Sequence, residues 1–263
     1  MRLLSWNVRD MLGDPLAVYR VIRAAQPDVV CLQEGPRWPG SRFRLGQIAR
    51  ATGLTFVAGG RASAGTCVLI GPGVILISAR AARLPVRGWR ARPRGVVLVS
   101  VALKADPAAP PLSILCLHLG LQAAERAQHV EIIRQRLSGQ PHLVLAGDLN
   151  EVPGGESWES LSTLVSDPQP DAAPTFPARH QRFRIDAVLA NRQVRVLEYD
   201  TWRPEERDLQ LSSDHRPVLA VVTTTDGPDR FPPGHESVTG LFYRRSTSYN
   251  AAGTAAHGGH HDG

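Results

Sequence analysis

The sequence predicts an α/β protein in which two packed, mixed β-sheets carry helices on their outer sides. Three observations predict it. Helix and strand patterns alternate early in the chain; many strands with few helices follow, separated by Gly, Pro and Asp clusters that favour antiparallel pairing. No glycine-rich turn follows the first strand, which argues against a dinucleotide-binding fold. With 263 residues, 43% hydrophobic and 21% charged, the chain can bury a full core.

The first strand is expected over residues 2–8. Asp14 as N-cap and Pro15 in the first turn open a helix that Gln26-Pro27 closes, with Val18, Val21, Ile22 and Ala25 forming its apolar stripe. A strand over 28–34 delivers Glu34. A second helix spans 41–52, with Leu45, Ile48, Ala49 and Thr52 on one face and Gly53 as its stop. Strands over 56–58, 65–70, 74–78, 95–103 and 112–119 come in quick succession. A helix over 121–138 turns Ala127, Val130, Ile133 and Leu137 inward. The strand over 142–149 leads to a long Pro- and Gly-rich stretch, 151–182, holding a short helix over 158–165. Loops of that length in compact domains tend to be functional. Strands over 184–190, 194–199 and 216–224 complete the pattern.

No linker composition interrupts residues 1–224, so they read as one domain, and 225–263, rich in Pro, Gly, Ser and His, reads as a disordered tail. Its histidines, His235, His257, His260 and His261, read as a solvated run rather than a metal site. Cys31, Cys67 and Cys116 lie in apolar runs without metal-type spacing and read as reduced core thiols. No leader segment precedes the first strand and no apolar run is long enough to cross a bilayer, so the expected address is the cytoplasm and the expected state a monomer. The formal charge is +6, and Lys104 is the sole lysine against many arginines. Arginine suits phosphate oxygens, although a GC-rich coding sequence would also favour it.

The strand-like runs share one feature: they end in carboxylates, amides or imidazoles. Leu3-Leu4-Ser5-Trp6 runs into Asn7, Val29-Val30-Cys31-Leu32 through Gln33 into Glu34, Ile114-Leu115-Cys116-Leu117 into His118, and the run from Leu143 into Asp148 and Asn150. Near the C-terminal end Asp214-His215 precedes its apolar run instead. Hard oxygen donors and imidazoles gathered on one rim of a sheet suit a divalent cation and a phosphate.

Six segments, Ser5-Trp6-Asn7, Leu32-Gln33-Glu34, Leu117-His118-Leu119, Gly147-Asp148-Leu149-Asn150, Arg184-Ile185-Asp186 and Ser213-Asp214-His215, together resemble the endonuclease/exonuclease/phosphatase family. That group of metal-dependent phosphohydrolases includes DNase I-like nucleases and phospholipid and inositol phosphate phosphatases. The resemblance implies a DNase I-like four-layer sandwich and a phosphohydrolase using Mg²⁺ or Mn²⁺. It implies Glu34 as principal metal ligand, Asn7 orienting Glu34 or reaching the metal through water, and Asp214 approaching the metal. Asp148 would position or deprotonate the attacking water and Asn150 would donate to a phosphoryl oxygen. His215, its tautomer held by Asp186, would contact the scissile phosphate, and His118 would donate to a non-bridging or leaving oxygen. Whether Asp148 or the Asp186–His215 pair takes the proton stays open.

The substrate is expected to be a phosphate ester, with nucleic acid favoured over a lipid headgroup or a small nucleotide. The basis is the six arginines between Arg80 and Arg94 around Trp89, and Arg179, Arg182 and Arg184 near Asp186. His118 in place of a tyrosine strand and a Pro-Asn-Gly turn argues against a dedicated abasic-site enzyme. Two other readings are a lipid or inositol phosphate phosphatase and a non-catalytic module that holds a phosphorylated partner. A serine acyl hydrolase lacks the Gly-x-Ser-x-Gly turn that would expose its nucleophile. His129, His142 and His180 are read as structural.

Overall fold

A computed structural model of the chain describes residues 1–88 and 92–225. Beyond Thr225 the expected tail lies outside the described residues, as do Trp89 and Arg90. The early alternation yields β1 (Arg2–Asn7), α1 (Pro15–Ala25), β2 (Val29–Gln33), α2 (Ser41–Thr52), β3 (Thr55–Gly59) and β4 (Cys67–Ile70). The strand-rich stretch yields β5 (Val74–Arg83), β6 (Gly95–Leu103), β7 (Leu112–His118), α3 (Ala123–Leu137) and β8 (Leu143–Asp148). The chain continues with α4 (Glu156–Leu161), β9 (Asp186–Ala190), β10 (Val194–Tyr199), α5 (Glu206–Ser212) and β11 (Val218–Thr224).

The strands form two mixed sheets, one of six in the order β10-β11-β1-β2-β4-β3 and one of five in the order β5-β6-β7-β8-β9. Successive residues of a strand face opposite sides, and the apolar residues divide accordingly. Leu3, Val29, Cys31, Val99, Ile114, Cys116, Val144 and Val188 fill the space between the sheets. Leu4, Trp6, Val30 and Leu32 face outward onto Val18, Val21 and Ile22 of α1 and Leu45 and Ile48 of α2. On the far side Leu115, Leu117 and Leu145 meet Val130, Ile133 and Leu137 of α3 and Leu161 of α4. Helix, sheet, sheet and helix are thus stacked as four layers, the DNase I-like sandwich that the motifs imply.

Local chemistry explains where elements begin and end. Asp14 caps α1 by accepting from the Leu16 amide, with Pro15 in the first turn, and Gln26 closes the helix in the left-handed region. The helix α3 differs from its expected face: Ala127 is exposed, while Glu125, Arg126 and the fully buried His129 share the inner stripe with Val130, Ile133 and Leu137. His129 earns its burial by accepting from the Gly120 amide at 3.3 Å and contacting the Pro85 carbonyl oxygen at 2.7 Å. The long stretch holds a shorter helix than expected, at Glu156–Leu161, starting two residues and ending four residues earlier, and α5 forms where no strong periodicity marks a helix. Arg184, expected near substrate, is buried instead: it pairs with both oxygens of Asp167 at 2.6 and 2.9 Å and lies over the Trp158 ring. Cys31, Cys67 and Cys116 are buried free thiols, and no described helix is long and apolar enough to cross a membrane.

Candidate functional site

The two-residue period that builds the inter-sheet core also builds the site. Following each inward row toward one end of the sandwich, Leu3-Ser5 leads to Asn7, Ile114-Cys116 to His118 and Val144-Ala146 to Asp148. β9 runs the other way and starts with Asp186 opposite Asp148. β7 and β8 are parallel and in register at His118 and Asp148. Apolar side chains therefore give way to polar ones in the gap between the sheets, at one rim.

Asp148, 1% exposed, is the centre. Its Oδ2 accepts from Asn7 Nδ2 at 3.0 Å across the gap, lies 3.3 Å from His118 Nε2 and 3.9 Å from His215 Nε2. Its Oδ1 accepts from the Asn150 backbone amide at 2.9 Å. Burial opposes the charge on this carboxyl, yet the two imidazoles and the Asn7 amide outweigh it and hold the group well below the usual carboxylate range. His215 Nδ1 sits 2.8 Å from Asp186 Oδ2, which also accepts from the Thr175 hydroxyl at 2.6 Å. Burial alone would lower His215; the Asp186 carboxylate, with Asp148 and Asp214 beyond it, instead pushes it up to about 10. Burial and the neighbouring Asp148 push Asp186 up as well, so imidazole and carboxyl bind their proton as one unit.

The chain segment around His215 is anchored on both sides. Trp6 Nε1 donates to the His215 carbonyl oxygen at 2.8 Å, the Ser213 hydroxyl donates to the Asn7 carbonyl oxygen at 2.6 Å, and the Phe176 ring lies 4.8 Å from the imidazole.

Asn7, His118, Asp148, Asp186 and His215 thus converge through side-chain contacts, whereas Asn150 joins through its backbone amide while its Nδ2 donates to the Leu119 carbonyl oxygen at 2.9 Å. Glu34 and Asp214 stand at the margin. Glu34 comes after the end of β2, where strict alternation would turn it outward, but its left-handed backbone (φ 49°) redirects it to lie 3.8 Å from Arg94 Nη1. Asp214 is turned toward Arg9, 3.5 Å away, and the Arg9 amide donates to Asn7 Oδ1 at 3.0 Å.

Two contributors carry no sequence signal of their own. Thr175 sits alone in the long Pro-rich stretch, and Arg94 is one arginine of a cluster. Of that cluster's described members Arg94 is the one buried beside the site, with Nε donating to the Leu119 carbonyl at 3.1 Å and Nη1 without a hydrogen-bond partner. Beside the site a cavity of about 150 Å³ is lined by Thr175, Asp200, Trp202, Arg203 and Arg216.

The donor chemistry suits a hard divalent cation. Asp148, Asp186 and His215 offer ligand atoms all within 4.8 Å of one another, and Asp186 Oδ1 is buried without a hydrogen-bond partner. Carboxylate and amide oxygens are what magnesium and manganese take, with water and substrate phosphate completing the shell.

A model of the Endonuclease/Exonuclease/phosphatase family matches residues 4–215. No curated protein matches the chain significantly in sequence. Among solved structures, a functionally unknown conserved protein from Enterococcus faecalis aligns with a TM-score of 0.70 at 19% identity, covering 86% of this chain and 100% of that one. A mannosyl-6-phosphatase from Bacteroides thetaiotaomicron aligns with a TM-score of 0.68 at 17% identity, over 85% of this chain and 99% of the other. D. rerio TDP2, complexed with a single strand DNA product, gives 0.63 at 17% identity, over 85% and 99%. At such identities the likeness is one of fold.

Proposed function

Since the chain belongs to the endonuclease/exonuclease/phosphatase family, we propose that it hydrolyses phosphate esters with a divalent metal, through Asp148, His118, Asn150 and the Asp186–His215 pair. One observation carries the reading: a buried carboxylate, Asp148, lies between the imidazoles of His118 and His215 and the Asn7 amide of the facing sheet. Magnesium or manganese, when bound, supplies positive charge to phosphoryl oxygens and lowers the cost of deprotonating water. Glu34, with Asn7 and Asp214, would hold it, and Asp148 and Asp186 supply further carboxylate oxygens that lie within 4.8 Å of one another.

The chain's own residues divide the work of in-line attack. Asp148, held anionic by its neighbours, accepts a hydrogen bond from the attacking water and positions it for proton loss. His215, cationic near neutrality through Asp186, donates to a phosphoryl oxygen. His118 and the Asn150 amide donate to the oxygens that gain charge in the transition state. Thr175 fixes Asp186, and so the ring of His215. The mannosyl-6-phosphatase and the DNA-bound TDP2 among the structural neighbours have only the phosphate ester in common, which is the part of the substrate this geometry addresses.

The test is hydrolysis of a panel of DNA, RNA, sphingomyelin, inositol phosphates and bis(p-nitrophenyl) phosphate with added Mg²⁺ or Mn²⁺. Turnover is expected to vanish in EDTA and to fall by about 10²–10⁴ in Asp148→Ala and in His215→Ala. Turnover that survived both EDTA and Asp148→Ala would sink the reading, and EDTA-indifferent phosphoester binding without turnover would favour a binding module.

A further inference from the structure

The two ends of the sandwich differ in what their loops expose. At the rim that carries the site, six loops each present one exposed large apolar side chain among the described residues: Leu12 (74% exposed), Trp38 (65%), Val86 (48%), Leu121 (60%), Val152 (43%) and Phe183 (50%). They lie after β1, β2, β5, β7 and β8 and before β9, which are the strand ends that hold or flank Asn7, His118, Asp148 and Asp186. Loops at the opposite end, 26–28, 53–54, 71–73, 104–111, 138–142 and 191–193, present none. Scattered exposed apolar residues are ordinary on any surface. Confinement of every such residue in the described loops to the catalytic end is not, because apolar side chains gathered around a site mark an interaction surface. The same loops expose Arg87, Arg92, Arg179 and Arg182 beside one exposed acid, Asp171, and an Arg9 paired with Asp214, against Lys104 and Arg192 at the opposite end.

We propose that this rim docks on an anionic phospholipid bilayer, so that the ester reaching Asp148 and His215 is a lipid headgroup phosphate. The substrate part rests on the phosphohydrolase reading; the docking part does not. The composition of the ring selects the partner. Four of its six members are aliphatic, and aliphatic side chains partition into the headgroup–acyl boundary but offer no face on which a base can stack. A single-stranded nucleic acid would be served by successive aromatics, and the ring has only Trp38 and Phe183. Tryptophan is at home at a bilayer interface. Arginine places its stem along apolar surface and its charge among lipid phosphates.

The experiment is co-sedimentation of the full chain with phosphatidylcholine vesicles, with and without about 30% phosphatidylserine. EDTA is present throughout to prevent turnover. Binding is expected to the anionic vesicles, to weaken with salt, and to fall about tenfold in the double variant Trp38→Asp, Leu121→Asp, while Arg192→Glu at the opposite end binds as the parent does. The double variant is expected to hydrolyse soluble bis(p-nitrophenyl) phosphate at the parent rate. Indifference to anionic vesicles overturns the docking surface, as does equal binding by the double variant, or a loss in that variant of single-stranded DNA binding alone. Vesicle binding without hydrolysis of any ester in the presence of metal overturns the hydrolase reading and leaves the docking surface standing.

Discussion

Thr175 makes a larger contribution to the site than its position in a Pro-rich loop suggests. Its hydroxyl donates to Asp186 Oδ2 at 2.6 Å and accepts from the Ile185 and Asp186 amides, each at 3.2 Å. Thr175→Val keeps the shape and removes those bonds, so Asp186 and the imidazole it orients lose their fixed geometry. Turnover is expected to fall about tenfold and the melting temperature by several degrees, since the Asp186 carboxylate and two amides lose their partner; an unchanged rate would remove Thr175 from the positioning role. Asp200, in the neighbouring cavity, allows a pH test outside the catalytic cluster. Burial pushes its carboxyl up to about 6 despite Arg203, Arg184 and Arg216. The folded chain therefore keeps a proton that the unfolded chain releases, and stability falls as pH rises from the ordinary carboxylate value of 3.8 through about 6. Asp200→Asn stays neutral throughout. It is expected to be more stable than the parent by about 1–2 kcal/mol above that range, allowing for partial solvent access, and no more stable below it. Thermal melts at acidic and neutral pH check the sign, and a variant that melted lower at neutral pH would contradict the argument.

At the scale of elements, the site depends on how closely two parallel strands approach. Gly147 of β8 lies beside Leu117 of β7, and a Cβ there would stand 2.0 Å from the Leu117 carbonyl oxygen. Gly147→Ala must push apart the strand ends that carry His118 and Asp148. A loss of about 3 kcal/mol or more in denaturant unfolding is expected, together with loss of turnover; a variant as stable as the parent would show that the strands yield easily. The same strands also show which elements were legible. Asn7, His118 and Asp148 follow inward-facing apolar residues at even spacing, so strand periodicity alone puts them on one face. Glu34 breaks that parity and reaches the site only through a left-handed residue after β2. α5 and the 3-10 turn Arg9–Met11 escaped because they are short and held by tertiary contacts, as in the Asp14 amide donating to the Leu211 carbonyl at 2.8 Å.

For the molecule as a whole, two sheets meeting at one rim concentrate Glu34, Asp148, Asp186 and Asp214 around two imidazoles and one buried guanidinium. A bound cation that relieves their mutual repulsion stabilises the folded chain by linkage, about 2.7 kcal/mol at a hundredfold excess over Kd. Magnesium is expected to raise the melting temperature of the parent by several degrees and to do so far less in Glu34→Gln. An equal rise in both would remove Glu34 from the ligand set. The four-layer order, the strands and the polar residues at their ends follow from the sequence by itself, because two-residue alternation, helix caps and turn residues are local properties of the chain. Tertiary structure alone decided that Asn7 of one sheet bonds Asp148 of the other, that Arg94 rather than its neighbours faces Glu34, that Arg184 serves the core, and that the exposed apolar loops share one end. Those facts depend on how two sheets face each other, and contacts between residues more than a hundred positions apart in the chain, such as Asn7 and Asp148, leave no periodic trace in the sequence around either of them.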